Sequence, residues 1–413
     1  MRRGNDDNLS LAKGGGGARG QVREAVGRPT RDEPLSRREF SKSAVAAIAA
    51  LTTLSAVVEA CATLPTAESI RRKGQPETSP RAELSGAAWA TWREIAHLAR
   101  LAPTPHNTQP FRIRPVDPHT AEIVALSERF LPQEDHGNRY VASAFGIFAA
   151  TIEVAAATLG VAVTVIPADS IDVAGLHRAS APIALGTATI VGEMVRSIDP
   201  GLLDLRRTSR IPYVDRLVDA DVWTALRAIA ESRGHRLLEY NDRDVVDATL
   251  RLNVDAIIDN LGLVREREEI RHWYRTGPTP RFGDGLWERP LNQGALEIRS
   301  AFGSPRLLHL PILRQLATHR YLNTQRGTRH IVLLSGPFAT WPELVDAGRA
   351  LFGIWVEMAR HGVYVQPMGS MLTNPAYAAR IAERFAVTDC WLVMRAGYSA
   401  VPPRAPRLES ILL

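Results

Sequence analysis

The chain has 413 residues, too many for one ordinary domain, and its 45% hydrophobic and 23% charged content is that of a soluble protein able to bury a core. The formal charge is +6, half of it within residues 1–62, so the body lacks the basic face that nucleic-acid binding requires, and that class is set aside. Cys61 and Cys390 are the only cysteines, and CxxC, HEXXH, GxSxG and P-loop patterns are missing, which sets aside zinc, iron–sulfur, serine-hydrolase and P-loop chemistry.

Residues 1–35 are Gly-rich and polar and carry no fold signal. The stretch Ser36-Arg37-Arg38-Glu39-Phe40-Ser41-Lys42 then precedes an uncharged apolar run, Ser43 to Val58. A membrane span needs roughly 20 apolar residues, so this shorter run reads as the hydrophobic region of a signal segment. The Arg pair closely resembles the twin-arginine export motif. That resemblance implies the export machinery as a partner, the periplasm or cell envelope as destination, and a cofactor acquired before export, because the route carries folded proteins. Two endings stay open. Ala60-Cys61-Ala62 suits simple cleavage, whereas Val58-Glu59-Ala60-Cys61 resembles a lipobox, despite an awkward Glu59, and would leave Cys61 lipidated. Residues 63–85, with Pro65, Gly74, Pro76 and Pro80, read as a linker.

The apolar spacing predicts a helix from Trp89 to Leu101, stopped by Pro103 and Pro105. Strands follow at Phe111–Arg114 and Glu122–Leu126, then a nearly continuous apolar helix, Ala142–Leu159, closed by Gly160. Val161–Ile166 and Ile183–Val191 read as strands. A second unit starts at Asp204, with a helix at Trp223–Arg233, a strand at Leu237–Tyr240 and a helix at Val245–Leu261. Residues 274–308, rich in Gly and Pro, read as an extended excursion. A strand at His330–Leu334, a helix at Leu344–His361 closed by Gly362, and a strand at Trp391–Arg395 complete the chain. The recurring order of strand, long helix, Gly and strand predicts an internal duplication, with halves at 86–203 and 204–413. An ordinary α+β protein with similar elements is the alternative.

Three segments carry candidate chemistry. Pro105-His106-Asn107-Thr108-Gln109-Pro110-Phe111 sits in a proline-rich turn, where Asn107 and Gln109 offer both donors and acceptors. Arg206-Arg207-Thr208-Ser209-Arg210 is a basic cluster in which alternate residues of an extended segment can point one way. Forked guanidinium donors suit a phosphate dianion, although such a cluster alone is commonly a solvated face. Gln366-Pro367-Met368-Gly369-Ser370 reads alone as a Pro-Gly turn.

Together these segments resemble the nitroreductase family, and the His-Asn-Thr-Gln-Pro form resembles its Acg-type branch, in which one chain contains both halves that two subunits supply elsewhere. The resemblance spans roughly residues 88–413. It implies an α+β fold of two tandem half-units forming an intramolecular pseudo-dimer, with 274–308 as a lid. It also implies bound FMN, with Arg206, Arg207, Thr208 and Arg210 at the phosphate and Pro105, His106, Asn107 and Gln109 reaching the flavin from the other half. Pro367, Met368 and Gly369 would lie over the ring edge, and Arg404 or Arg407 of the basic tail would add to the phosphate site. No catalytic side chain or metal is expected, because the flavin carries the chemistry.

Two functions follow from the resemblance. One is an oxidoreductase taking electrons from NAD(P)H or another small donor and passing them to a nitroaromatic or quinone-like acceptor. The other is an FMN-binding or redox-sensing protein in which Trp273, Tyr274, Phe282, Leu286 and Trp287 cover the flavin. With no second RRxxR segment in the first half, one FMN per chain is expected, and a chain that supplies its own partner is expected to be a monomer.

Overall fold

In the computed structural model the residues described are 87–413, apart from Ser197 and Pro280, all within the unit Pro65–Leu413. The export motif, the candidate lipidation site and the linker read at 63–85 lie outside the described residues.

Helix α1 (Ala87–Ala99) and a 3-10 turn at Pro105–Asn107 lead into the hairpin of β1 (Phe111–Pro115) and β2 (Thr120–Ala125). Helix α2 (Arg139–Thr158), β3 (Val161–Pro167) and β4 (Ile183–Glu193) complete an antiparallel sheet of order β1-β2-β4-β3. A short α3 (Gly201–Leu205) precedes α4 (Ala220–Glu231), β5 (Arg236–Tyr240), α5 (Arg243–Gly262) and α6 (Val264–Trp273). The two-residue strands β6 (Tyr274–Arg275) and β7 (Leu286–Trp287) pair in parallel and close the loop between them. Helices α7 (Glu288–Leu291), α8 (Ala295–Gly303) and α9 (Pro311–Thr324) follow. Then come β8 (His330–Ser335), α10 (Trp341–Arg360), β9 (Val363–Pro367), α11 (Ser370–Thr373), α12 (Pro375–Phe385) and β10 (Cys390–Tyr398). The second sheet has the order β5-β8-β10-β9.

The architecture is α+β, and the two sheets repeat one topology. In each, the strands stand first, second, fourth, third in chain order, and a 20-residue helix joins the second to the third. Both of these helices are followed by a left-handed glycine, Gly160 at φ +81° and Gly362 at φ +67°. Apolar on nearly all sides, α2 has no face to give to water and is buried along most of its length. Its start is capped by Asp135, whose carboxylate accepts from the Tyr140 and Val141 amides at 3.0 and 2.8 Å. Helix α10 starts with a reciprocal capping box between Thr340 and Glu343.

The two long helices pack backbone to backbone. A Cβ on Gly146 would stand 2.1 Å from the Val345 oxygen, and one on Gly348 only 1.8 Å from that of Ser143. Phe145 stacks on Trp341 at 5.1 Å beside this contact, and Arg349 pairs with Glu153 at 2.6 Å across it.

Two strand-like excursions tie distant chain segments together. Ile113 of β1 donates to the Ile411 carbonyl and accepts from Leu413, so the C-terminus returns to the first sheet. Thr208 forms a β-bridge with Val365, which lays the Arg206–Arg210 segment along β9 of the second sheet.

The excursion read as extended at 274–308 is partly helical: it contains α7, α8 and a 3-10 turn at Pro305–His309. Its Gly and Pro residues bound short helices rather than preventing them. Helices α6, α9 and α12 also went unread, the first two because charged and polar residues interrupt their apolar faces.

Candidate functional site

The basic segments meet at one backbone carbonyl. Leu101, in the turn after α1, accepts from Arg206 Nη2 at 2.8 Å and from Arg407 Nη2 at 3.3 Å. Arg206 is buried and lies over the Trp355 ring at 4.8 Å. The Nε atoms of Arg206 and Arg407 are both shut off from solvent and bonded to nothing among the described residues. Among the described residues neither guanidinium has a carboxylate partner. Asp204 lies close by but is taken by Arg207 at 2.9 Å and by Arg404. Burial, with the charges of Arg407 and Arg207 added, pushes Arg206 down to about 9, and burial beside Arg100 pushes Arg407 to about 10. Both remain cationic at neutral pH. Enclosed positive charge without a counter-charge is costly, and an anion is what relieves it.

Arg210 does not join this pair. It donates to the Pro290 carbonyl at 3.3 Å, and burial lowers it in the company of Tyr274 and Arg395. Although the segment runs extended beyond α3, Arg206 and Arg210 do not converge: one reaches Leu101 and the other Pro290. Sequence reasoning passed over Arg395 as a site residue. It is fully buried, and it donates to Gln366 Oε1, Thr328 Oγ1 and the carbonyls of Ser209 and Ile211 at 2.9–3.1 Å. Its guanidinium stacks on Tyr213 at 4.0 Å. It pins the Arg206–Arg210 segment to the second sheet, and the signal was a lone Arg in the apolar strand β10 (Cys390–Tyr398).

The turn at 105–109 is held in a left-handed backbone at three residues, His106 (φ +46°), Asn107 (φ +54°) and Gln109 (φ +49°). Each such residue costs about 1–2 kcal/mol, so tertiary contacts must hold the turn. Asn107 Nδ2 donates to the carbonyls of Gly285 at 3.1 Å and Pro406 at 2.9 Å, and its Oδ1 accepts from Arg407 at 2.8 Å. Gln109 Nε2 donates to Gly283 at 2.8 Å, and its Oε1 accepts from the Leu408 amide at 3.0 Å. The two amides thus bind the loop 276–285 on one side and the C-terminal tail on the other. Pro105 opens the turn, and His106 Nε2 lies 2.9 Å from Glu134 Oε2, a charge contact rather than an aligned hydrogen bond.

The loop closes down on this turn through Asp284, which pairs with Arg129 and, at 3.0 Å, with Arg275. Both guanidiniums face the buried Trp273 ring, at 5.4 and 5.6 Å. Gly285 takes φ +76°, and a Cβ there would meet the Trp273 oxygen at 2.4 Å. Of the aromatics expected to cover a ring, Trp273 and Trp287 are buried as anchors of the loop, Trp287 donating to the Gly277 carbonyl at 3.0 Å, whereas Phe282 is exposed.

The third segment stands beside the second through the Thr208–Val365 bridge. Met368 is buried and its amide donates to Val393 at 2.8 Å; Pro367 ends β9. Gly369 faces open space, since an added Cβ would meet no atom within 4 Å.

No family model and no curated protein matches the chain. Solved structures do. An FMN-dependent nitroreductase from Mycobacterium smegmatis, solved with NADPH, is 18% identical over 50% of this chain and 92% of its own, with a TM-score of 0.28. A nitroreductase with bound FMN from Desulfitobacterium hafniense is 11% identical over 52% and 96%, with a TM-score of 0.31. A nitroreductase-like family protein from Bacillus cereus is 12% identical over 53% and 95%, with a TM-score of 0.29. The neighbours are nitroreductase-family proteins. At these identities and scores the likeness carries no argument about activity, which rests on the residues above.

Proposed function

We propose that the protein is an FMN-dependent oxidoreductase of the nitroreductase type, taking electrons from NAD(P)H and reducing nitroaromatic or quinone-like acceptors by two electrons. The observation that carries this reading is the Arg206–Arg407 pair: two enclosed guanidiniums on one carbonyl, each with an unbonded Nε and no carboxylate. A phosphate fits that donor set. Arg206 and Arg407 would hold it, with Thr208, Arg207 and Arg404 at its margin. Arg210, Pro367, Met368 and Gly369 would border the rest of the cofactor. Asn107 and Gln109 hold the wall of the site by joining tail and loop. Bound FMN would supply hydride acceptance and two-electron release; the chain binds it, orients it and excludes water.

The repeated sheet topology supports a tandem pseudo-dimer with halves at 86–203 and 204–413, one FMN per chain and a monomer in solution. The Arg37-Arg38 motif supports export by the twin-arginine route to the periplasm or cell envelope, with simple cleavage or lipidation at Cys61 as its two endings. A second reading, a flavin-binding or redox-sensing protein with a covered flavin and little turnover, draws on the clamp at Asp284.

The test is FMN release from the purified protein followed by anaerobic titration with NADPH. One FMN per chain, bleached by NADPH and restored by a quinone, supports the reductase. A flavin bleached only by dithionite supports the covered reading, and a protein without flavin overturns both.

A further inference from the structure

The geometry points to His106, backed by Glu134, as the proton donor of this site, with Nδ1 the atom that gives a proton to an oxygen of the bound electron acceptor. The inference rests on the flavin-dependent reading. With Nε2 set 2.9 Å from the Glu134 carboxylate, that nitrogen carries a hydrogen. The second proton of the imidazolium, the one that can be given away, therefore sits on Nδ1. Nδ1 is shut off from solvent and bonded to nothing among the described residues. Its neighbours behave differently: the amides of Asn107 and Gln109 are consumed by tail and loop contacts. A polar atom that the fold encloses and leaves unbonded calls for a reason outside the fold. His106 is also held at φ +46°, a conformation that the surrounding contacts must impose.

The charges around the ring favour a held proton. Burial opposes the imidazolium, but Glu134 outweighs it, with Arg210 opposing and Glu269 in support, and the net shift is upward. Arg129 and Arg275 are both engaged by Asp284 of the adjoining loop. Tyr274, pushed up to about 12 by burial, stays neutral. On the far side, Glu269 accepts from the amides of Gln133 and Glu134 at the edge of an open cleft also lined by His272 and Trp273.

The balance closes. Converting a quinone to a hydroquinone takes two electrons and two protons. Bound reduced flavin would supply both electrons and one proton as a hydride equivalent. The second proton leaves His106 Nδ1 as its N–H bond breaks and an O–H bond forms on the acceptor. The imidazolium becomes neutral imidazole and regains its proton from water.

The experiment uses the full-length holoprotein and two variants, His106→Phe and Glu134→Gln. In the resting protein, the His106 ring is titrated by NMR. Glu134→Gln is expected to lower its pKa, whether or not acceptor chemistry is measured. In single turnovers, flavin-loaded His106→Phe is first reduced by NADPH. Its reoxidation by a quinone should slow about 100-fold and lose its dependence on pH. A flavin-loaded His106→Phe that reoxidises like wild type, or a His106 titration indifferent to Glu134→Gln, overturns the assignment while leaving the functional reading intact. Wild-type protein without flavin overturns the functional reading, and this step with it.

Discussion

Arg206 and Arg407, some 200 positions apart in the chain, donate to the same carbonyl oxygen, that of Leu101, at 2.8 and 3.3 Å. A fold that brings two guanidiniums to one neutral acceptor, with Asp204 already engaged by Arg207 and Arg404, has kept positive charge in reserve.

Removing that charge has opposite effects on stability and on binding. Arg206→Met is expected to stabilise the flavin-free protein by about 1–4 kcal/mol, because an uncompensated buried charge disappears while Arg407 still serves Leu101. The same change is expected to weaken FMN by about 1.5–3 kcal/mol, roughly 10- to 150-fold. Urea unfolding of the apoprotein and fluorescence titration with FMN read the two effects; equal affinity in the variant would contradict a phosphate role for Arg206.

Asp284 holds the loop 276–285 against the turn at 105–109. Its loss leaves Arg129 and Arg275 side by side near one ring, so Asp284→Ala is expected to cost about 3–5 kcal/mol. Hydrogen exchange of the Gly285 amide, which donates to Asn107, is expected to accelerate strongly. Protection unchanged from wild type would show that the clamp does not secure the loop.

The contact between α2 and α10 predicts a contrast between two glycines. Gly348→Ala places a methyl 1.8 Å from the Ser143 oxygen, a backbone atom that cannot step aside alone, and is expected to destabilise by about 1–3 kcal/mol or more. Gly369→Ala, with open space around it, is expected to leave the urea midpoint unchanged. Equal midpoints for the two variants would rule out the close helix approach.

Asp135 predicts a pH slope. Burial raises its pKa to about 6 from the ordinary 3.8, opposed by the Tyr140 and Val141 amides. The folded state therefore holds a proton that the unfolded state releases between about pH 4 and 6, and folding stability falls as pH rises through that window. The contribution is about 2–3 kcal/mol between the ends of the window. Melting temperatures of wild type and Asp135→Ala, compared from pH 4 to 7, check it: the slope is expected to flatten in the variant, which also loses the helix cap at every pH.

Much of the scaffold was legible in the chain. Helix α2 announces itself by length and nearly continuous apolar content, α10 by length and a broad apolar face, both by a terminal glycine, and β1 by its strict alternation. Those signals are local, so they survive without knowledge of the rest. The helices around the loop were not legible. Val264–Trp273 carries charge at most positions, and Ala295–Gly303 is short and flanked by Gly and Pro, so neither shows a clean apolar stripe.

The site divides in the same way. Local sequence determined which residue types were available: three segments bearing guanidiniums, amides and glycines, in an α+β chain with one topology repeated. Only the tertiary structure decided which of them meet. It sent Arg206 to Arg407 and Arg210 elsewhere, engaged Asn107 and Gln109 with loop and tail, recruited Arg395 to pin the segment, and left His106 Nδ1 without a partner. The reason is physical. Helix and strand formation depend on neighbours a few residues away, whereas the charge balance of an enclosed guanidinium depends on whichever distant segment the fold delivers beside it.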